Sequence, residues 1–153
     1  MLTTMIKKTS TFIATTALLA SIASLSSVLL ITNYANAAEL VVNVNKISTI
    51  KGHLLLAMYA DEASYKQGKP THSARVKISK EHEEITFKEL PDGEYAIKLF
   101  QDKNNNNKMD FNMLGMPKES YGFSNNGGRF GQPDYKDAKF TVKDNTVIDI
   151  NLF

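Results

Sequence analysis

The feature that most constrains the fold is a series of short segments in which apolar and polar residues alternate. In the segment 94–100, for example, Tyr95, Ile97 and Leu99 are separated by polar or small residues. Alternation with a period of two is typical of β-strands with one buried face. No long stretch with the 3.6-residue period of a helix competes with this pattern after residue 37. The sequence therefore predicts an all-β domain.

The first 37 residues have the pattern of an export signal. Lys7 and Lys8 precede an apolar stretch over 12–31, and Ala35 and Ala37 supply small residues at positions −3 and −1 of a cleavage site. We therefore expect a signal peptide over 1–37, a mature domain over 38–153, and a periplasmic or secreted location. A retained membrane anchor is the alternative, because the apolar stretch approaches the ~20 residues that span a bilayer.

Seven strands are predicted between turn signals in the mature domain. They cover 40–44, 52–59, 74–78, 84–87, 94–100, 138–142 and 146–152. Pro91 and Gly93 mark the turn before the fifth strand, since Pro fixes φ and Gly tolerates a positive φ. The segment 61–68 is predicted as a short helical turn. Seven strands in a chain of this length indicate a single small β-sandwich.

Charge and cysteine content narrow the possible functions. The two signal lysines account for the net charge of +2, so residues 38–153 hold 16 basic and 16 acidic side chains. This balance does not indicate a nucleic-acid partner or, after signal cleavage, a membrane partner. The chain has no cysteine, which excludes disulfides, thiol catalysis and thiolate metal sites. One small domain also excludes a two-lobed enzyme, and we expect a monomer.

The segment 101–136 fits neither a strand nor a helix pattern. It is longer than most loops in compact domains. Loops of this length are usually functional or disordered. Its many aromatic residues argue against disorder. We therefore expect one long ordered loop here, held in place by a further interaction.

Oxygen-bearing side chains recur at alternate positions in this loop. Asp102, Asn104, Asn106 and Asp110 occupy positions 1, 3, 5 and 9 of an EF-hand-type calcium loop, and Lys108 at position 7 would offer its backbone carbonyl. With two carboxylates in this set, we expect weak affinity, in the range of roughly 10⁻⁴ to 10⁻³ M. The sequence predicts one structural calcium ion.

The loop departs from the EF-hand pattern at two positions. Asn107 replaces the usual Gly at position 6, although Asn tolerates the left-handed conformation. Met113 replaces the usual Glu at position 12, and Glu119 is the candidate to complete the shell instead. An Asn-rich turn without an ion is the alternative, because Asn favours turns in any case.

Several motifs together resemble a known family. They are LPDGEYAI at 90–97, DKNNNNKMD at 102–110, LGMPKESYGFSNN at 114–126, Gln132-Pro133 and the segment 137–140. This set is similar to the exported bacterial proteins of domain-of-unknown-function family 2141, which have no established activity. The resemblance implies an exported β-sandwich of the Ig-like or transthyretin-like type. The turn at 90–95 is also similar to that of transthyretin-like modules, which assist other domains without performing chemistry.

The aromatic residues of the long loop allow two interpretations. Tyr121, Phe123, Phe130 and Tyr135 favour a small core beneath the loop, as satellite clusters often form under long loops. Alternatively, Tyr121, Phe123 and Phe130 form an exposed patch with Arg129 as its polar anchor. Such a patch would bind a protein, peptide or carbohydrate.

No catalytic motif is present in the sequence. His53, His72 and His82 lack the spacing of a zinc site, and the surroundings of Ser124 do not match Gly-x-Ser-x-Gly. The leading prediction is an exported non-enzymatic β-sandwich module with a structural calcium ion and a binding or envelope-associated role. The alternative is a small periplasmic hydrolase that uses Ser124, Glu119 and a histidine.

Overall fold

The computed structural model describes residues 37–153, so all but the last residue of the predicted signal peptide lies outside the described residues. Within them the chain forms eight strands and two short α-helices. In chain order these are β1 (Ala38–Asn45), β2 (His53–Tyr59), α1 (Glu62–Gln67), β3 (His72–Lys77), β4 (Glu83–Leu90), β5 (Gly93–Asp102), β6 (Tyr121–Phe123), α2 (Tyr135–Ala138), β7 (Phe140–Val142) and β8 (Asn145–Asn151). No helix in this part of the chain is both long and apolar enough to cross a membrane.

The strands form two sheets, which confirms the predicted β-rich fold. The first sheet has the order β4-β1-β8, with β1 antiparallel to β4 and parallel to β8. The second has the order β3-β2-β5-β6, and β7 also pairs with β5. Because β7 pairs with the start of β5 and β6 with its later part, these two short strands share one edge of β5.

The larger of two buried clusters contains residues of both sheets. It contains alternate residues of the strands, as the period of two predicts. Its members include Leu40, Val42 and Val44 of β1, Ile85 of β4, Ile150 of β8, Leu54, Leu56 and Met58 of β2, and Ile97 and Leu99 of β5. The residues between them face away from this cluster, and on β2 and β5 they form the surface described below.

The predicted elements agree with the structure outside the segment 101–136, which contains β6 and the start of α2 although only a loop was predicted there. All seven predicted strands are present, with ends shifted by at most three residues, and the predicted helical turn is α1. The Asp61 side chain caps α1 by accepting a 2.7 Å hydrogen bond from Ser64 N, and Gly68 ends it with a φ of 67°. The count of seven was wrong, because β6 lies inside the segment predicted as loop. Three residues are too few to show alternation, and pairing with β5 is what makes β6 a strand.

A second, smaller cluster anchors the end of the long loop. Tyr65 of α1 lies between Tyr59 and Tyr135, with ring centroids 5.3 and 5.7 Å apart in edge-to-face geometry. The Tyr65 hydroxyl donates a 3.0 Å hydrogen bond to Pro133 O. The predicted core beneath the loop is therefore correct for Tyr135, and it also includes residues of β2 and α1.

Candidate functional site

The outer face of the five-stranded sheet carries an apolar row that crosses four strands. Leu55 of β2 pairs with Arg75 of β3 on one side and with Phe100 of β5 on the other, and Phe100 pairs with Tyr121 of β6. Alternate residues of β2 lie in the shared core, so Leu55 faces outward. The result is an apolar surface with one guanidinium at its β3 end.

The neighbouring row contains a lysine that is engaged within the protein. Lys98 Nζ donates a 2.7 Å hydrogen bond to Tyr65 O and lies 3.9 Å from the centre of the Tyr65 ring. Burial lowers the pKa of the Lys98 ammonium. The cation is thus held over the aromatic cluster by a carbonyl and a π-face, which partly replace its hydration.

Two segments form walls around this floor. The segment 103–120, between β5 and β6, contributes Met109, Phe111, Met116 and Pro117, while the segment 127–134 contributes Arg129, Phe130 and Gln132. Together with the floor they enclose a space of about 940 Å³, which we call the cleft. Its size lies within the range typical of ligand sites, roughly 300–1,000 Å³.

The cleft brings together the four predicted binding-surface residues. Tyr121, Phe123, Arg129 and Phe130 all line it. Phe123 is buried and Tyr121 half-buried, whereas Phe130 is 99% exposed. The interpretation of Phe130 as part of a core was therefore wrong. The local sequence does not distinguish the buried Phe123 from the exposed Phe130. The chain turns away from the sheet at Gly128 and Gly131, whose φ values are 81° and 140°.

The predicted calcium loop begins at a fully buried carboxylate. The two oxygens of Asp102 accept hydrogen bonds from Asn106 N at 3.1 Å and Asn107 N at 3.0 Å. Gly52 makes room for this turn. A Cβ on Gly52 would lie 1.9 Å from Asp102 O, and its φ of 75° also disfavours any other residue.

The other predicted ligands gather around Asp110. Its carboxylate accepts hydrogen bonds from Asn104 Nδ2 at 2.7 Å and Asn106 Nδ2 at 3.2 Å. The amide oxygen of Asn106 accepts a 2.8 Å hydrogen bond from Lys108 N. The loop is therefore a set of turns closed by its own side chains, in which Asn104 and Asn106 both reach the Asp110 carboxylate.

Glu119 reaches the loop from outside it. This buried carboxylate accepts a 2.8 Å hydrogen bond from Lys103 N through Oε1 and a 3.2 Å hydrogen bond from Asp110 N through Oε2. It braces the two ends of the loop, while Met113 at position 12 is fully exposed. Asn107 has a φ of 60°, the left-handed conformation expected at position 6.

The acidic side chains do not form a metal cluster by themselves. Among residues 37–153, no three His, Cys, Asp or Glu side chains lie close enough together to hold a metal ion. A cation at the loop would therefore need amide and carbonyl oxygens in addition to the two aspartates. These are the ligands that calcium accepts most readily.

His53 connects the loop to the cleft floor. It pairs with Asp102 across the sheet, and its Nδ1 lies 2.6 Å from Asn105 Oδ1. Arg75 Nη2, at the end of the apolar row, lies 3.4 Å from the same ring nitrogen. The loop and the cleft are thus neighbouring parts of one surface.

The residues of the hydrolase alternative have structural contacts. Ser124 is fully buried; its hydroxyl donates to Ala138 O and accepts a 2.9 Å hydrogen bond from Ile97 N. Both oxygens of Glu119 are bound by the loop backbone, as described above. The hydroxyl of Ser124 therefore has no access to a substrate.

Most of the cleft floor was not predicted from the sequence. Leu55 is half-buried and faces the cleft together with Phe100. The signal was the uninterrupted run Leu54-Leu55-Leu56. A strand with two apolar faces has a second face that does not contact the shared core. On β2 this second face lines the cleft.

Comparison with known proteins gives one match. The family model described as an uncharacterized protein conserved in bacteria (DUF2141) matches residues 42–149. This range includes the calcium-like loop, Glu119 and the walls of the cleft. No curated protein and no solved structure matches the chain.

Proposed function

This chain belongs to the DUF2141 family of uncharacterized bacterial proteins, and we propose that it is a non-enzymatic module that binds an apolar ligand in the cleft. The observation that carries this proposal is the exposure of large apolar side chains at the mouth of the cleft. Phe130 is 99% exposed, Met116 57% and Phe111 55%. Contiguous exposed apolar surface is typical of binding sites. Binding is favoured over hydrolysis because Ser124 is buried and fully hydrogen-bonded.

The binding proposal is tested with an uncharged fluorescent probe, N-phenyl-1-naphthylamine. Saturable fluorescence enhancement is expected, and Phe130→Ser should weaken it about fivefold, since the substitution removes apolar contact area. Val147→Ser is the matched control, because Val147 is 62% exposed but lies on β8, outside the cleft. Non-saturable enhancement, or equal loss in both variants, would overturn the proposal.

We also propose that the loop binds one calcium ion through Asp102, Asn104, Asn106, Asp110 and the Lys108 carbonyl, with Glu119 as the brace. The convergence of both asparagine amides on Asp110 supports this set. A cation would require the amide oxygens, and not the nitrogens, to point inward. A rotation of 180° about χ2 exchanges the two, and the bonds to the ion would then replace the hydrogen bonds that these oxygens accept from Asn106 N and Lys108 N.

Thermal unfolding with calcium and with excess chelator tests the ion. A ligand of the folded state at ten times its Kd stabilises by about 1.4 kcal/mol. Asp110→Ala should abolish the calcium-dependent rise in Tm, while Asp92→Ala, in the exposed turn before β5, should retain it. The same Tm in calcium and in chelator for the unmodified protein would show that the loop is an ordinary Asn-rich turn.

We further propose that the domain is an exported Ig-like or transthyretin-like sandwich with a binding or envelope-associated role in the periplasm or outside the cell. The first strand begins at Ala38, directly after the proposed cleavage site, and Ala38 is buried. Mass measurement of the protein recovered from the exported fraction of a bacterial host tests the signal. A mature chain that begins at Ala38 is expected, and retention of Met1–Ala37 would contradict cleavage.

A further inference from the structure

We infer that the cleft selects a single-chain amphiphile with an anionic head group, such as a fatty acid; this inference rests on the binding function proposed above. The first argument is charge. The cleft is lined by Arg75, Lys98 and Arg129 and by no carboxylate. Residues 38–153 contain equal numbers of acidic and basic side chains, so the lining departs strongly from the composition of the domain.

The second argument is the type of cation. The chain has two arginines and sixteen lysines, and both arginines line the cleft. The planar guanidinium binds a carboxylate or phosphate through two parallel hydrogen bonds, whereas the lysine ammonium acts as a point charge. Neither arginine forms an ion pair within the part of the chain that the structure describes, where the salt bridges all involve lysine. Apart from the 3.4 Å contact between Arg75 Nη2 and His53 Nδ1, both guanidinium groups are therefore available to an anion.

The two arginines also lie at the two ends of the apolar floor. Arg75 begins the row that continues through Leu55, Phe100 and Tyr121. The Tyr121 hydroxyl donates a 3.0 Å hydrogen bond to the backbone oxygen of Arg129, which holds the segment of Arg129 at the opposite end. The floor is thus an apolar strip with an arginine at each end, and Lys98 is already bound to Tyr65 O. Such a strip can hold an alkyl chain, and a single anionic end of that chain would meet a guanidinium at either end of the strip.

The fourth argument concerns the walls. Met109 and Met116 face the cleft together with Phe111 and Phe130. Methionine side chains are flexible and adapt to ligands of irregular or variable length. Seven of the 21 lining residues have a hydrogen-bonding side chain, and two of these, Lys98 and Tyr121, already donate to backbone oxygens of the protein. An alkyl chain therefore fits this lining better than a sugar does.

The test compares three ligands that have the same alkyl chain and different head groups. Dodecanoate and dodecyltrimethylammonium, each below its critical micelle concentration, and 1-dodecanol, below its solubility limit, are used to displace N-phenyl-1-naphthylamine from the purified protein. We expect dodecanoate to bind at least tenfold more tightly than the alcohol, and the cation to bind most weakly. The double variant Arg75→Gln with Arg129→Gln should lose this preference, so that dodecanoate and 1-dodecanol bind it with affinities within about threefold of each other.

The control is the double variant Lys88→Gln with Lys143→Gln, which makes the same change in net charge at exposed positions outside the cleft. It should keep the preference for dodecanoate. Equal affinity for dodecanoate and dodecanol, or a preference that survives loss of both arginines, would overturn the anionic ligand and leave the apolar binding function standing. If the probe binds saturably and none of the three ligands displaces it, the amphiphile inference fails alone. If the probe itself does not bind saturably, the inference and the proposed function both fail.

Discussion

At the residue scale, Glu83 makes the stability of the domain sensitive to acid. Burial raises the pKa of this carboxyl, but hydrogen bonds from Ser79 and Lys80 to Oε1 outweigh burial, so the pKa lies below its ordinary value of 4.5. A lowered pKa means that the stabilisation is present above pH 4.5 and is lost as the pH falls through the folded-state value. Glu83→Gln should cost about 1 kcal/mol at pH 7, because it removes charge-assisted hydrogen bonds.

The measurement for Glu83 is urea unfolding of both proteins between pH 7 and pH 2. The difference in unfolding free energy between wild type and Glu83→Gln should shrink as the pH falls below 4.5. Glu84→Gln, on the exposed face of the same strand, should show no such trend. A difference that stays constant across this range would mean that the carboxylate is not the source of the stabilisation.

Tyr65 produces the opposite dependence at alkaline pH. Burial, with smaller contributions from Tyr59 and Asp134, raises the pKa of its hydroxyl to about 12. A raised pKa means that the stabilisation is complete below the ordinary value of 10.0 and is lost as the pH rises towards 12. Tyr65→Phe should cost about 1 kcal/mol at pH 8, because Pro133 O loses its donor. Unfolding measured at pH 8 to 12 should show this difference closing, and a widening difference would contradict the assignment.

At the scale of the element, we expect Glu119 to hold the segment 103–120 in order. Its carboxylate joins Lys103 N to Asp110 N, and no strand or helix lies between those ends. Glu119→Gln should lower the unfolding free energy by about 1–2 kcal/mol, since one charged acceptor becomes neutral and one amide loses its partner.

Limited proteolysis should then cut within 103–118 faster than in wild type. Glu81→Gln, an exposed change, is the control; equal cleavage rates in all three proteins would exclude the brace.

At the scale of the whole molecule, the ion loop and the cleft should be energetically coupled. The segment that begins at Asp102 also supplies Met109, Phe111 and Met116 to the wall of the cleft. An ion that orders this segment lowers the entropic cost of ligand binding. We expect calcium to tighten the binding of N-phenyl-1-naphthylamine about fivefold, roughly 1 kcal/mol of coupling.

This coupling is measured by titrating the probe in calcium and in chelator. Because linkage is reciprocal, saturating probe should lower the Kd for calcium by the same factor. Asp110→Ala should bind the probe equally in both conditions, with the affinity that wild type has in chelator. Probe binding that is insensitive to calcium in wild type, with a calcium-dependent Tm, would show that the two sites are independent.

The sequence alone determined the features that depend on neighbours along the chain. Alternation located seven strands, Asp61 and Gly68 marked the ends of α1, and the spacing from Asp102 to Asp110 indicated side chains that the structure brings together. These features follow from local backbone geometry, in which a period of two or a turn residue has the same meaning in any fold.

Only the tertiary structure decided which residues meet across the sheet. Leu55, Phe100 and Tyr121 form one row because β2, β5 and β6 pair in a particular register, and no local pattern specifies that register. The same pairing makes β6 a strand and places Glu119 against the loop. Phe130, in contrast, is of a residue type that is common in protein cores, yet it lies in solvent. A side chain's environment depends on distant segments, so the cleft could be recognised only once those segments were assembled.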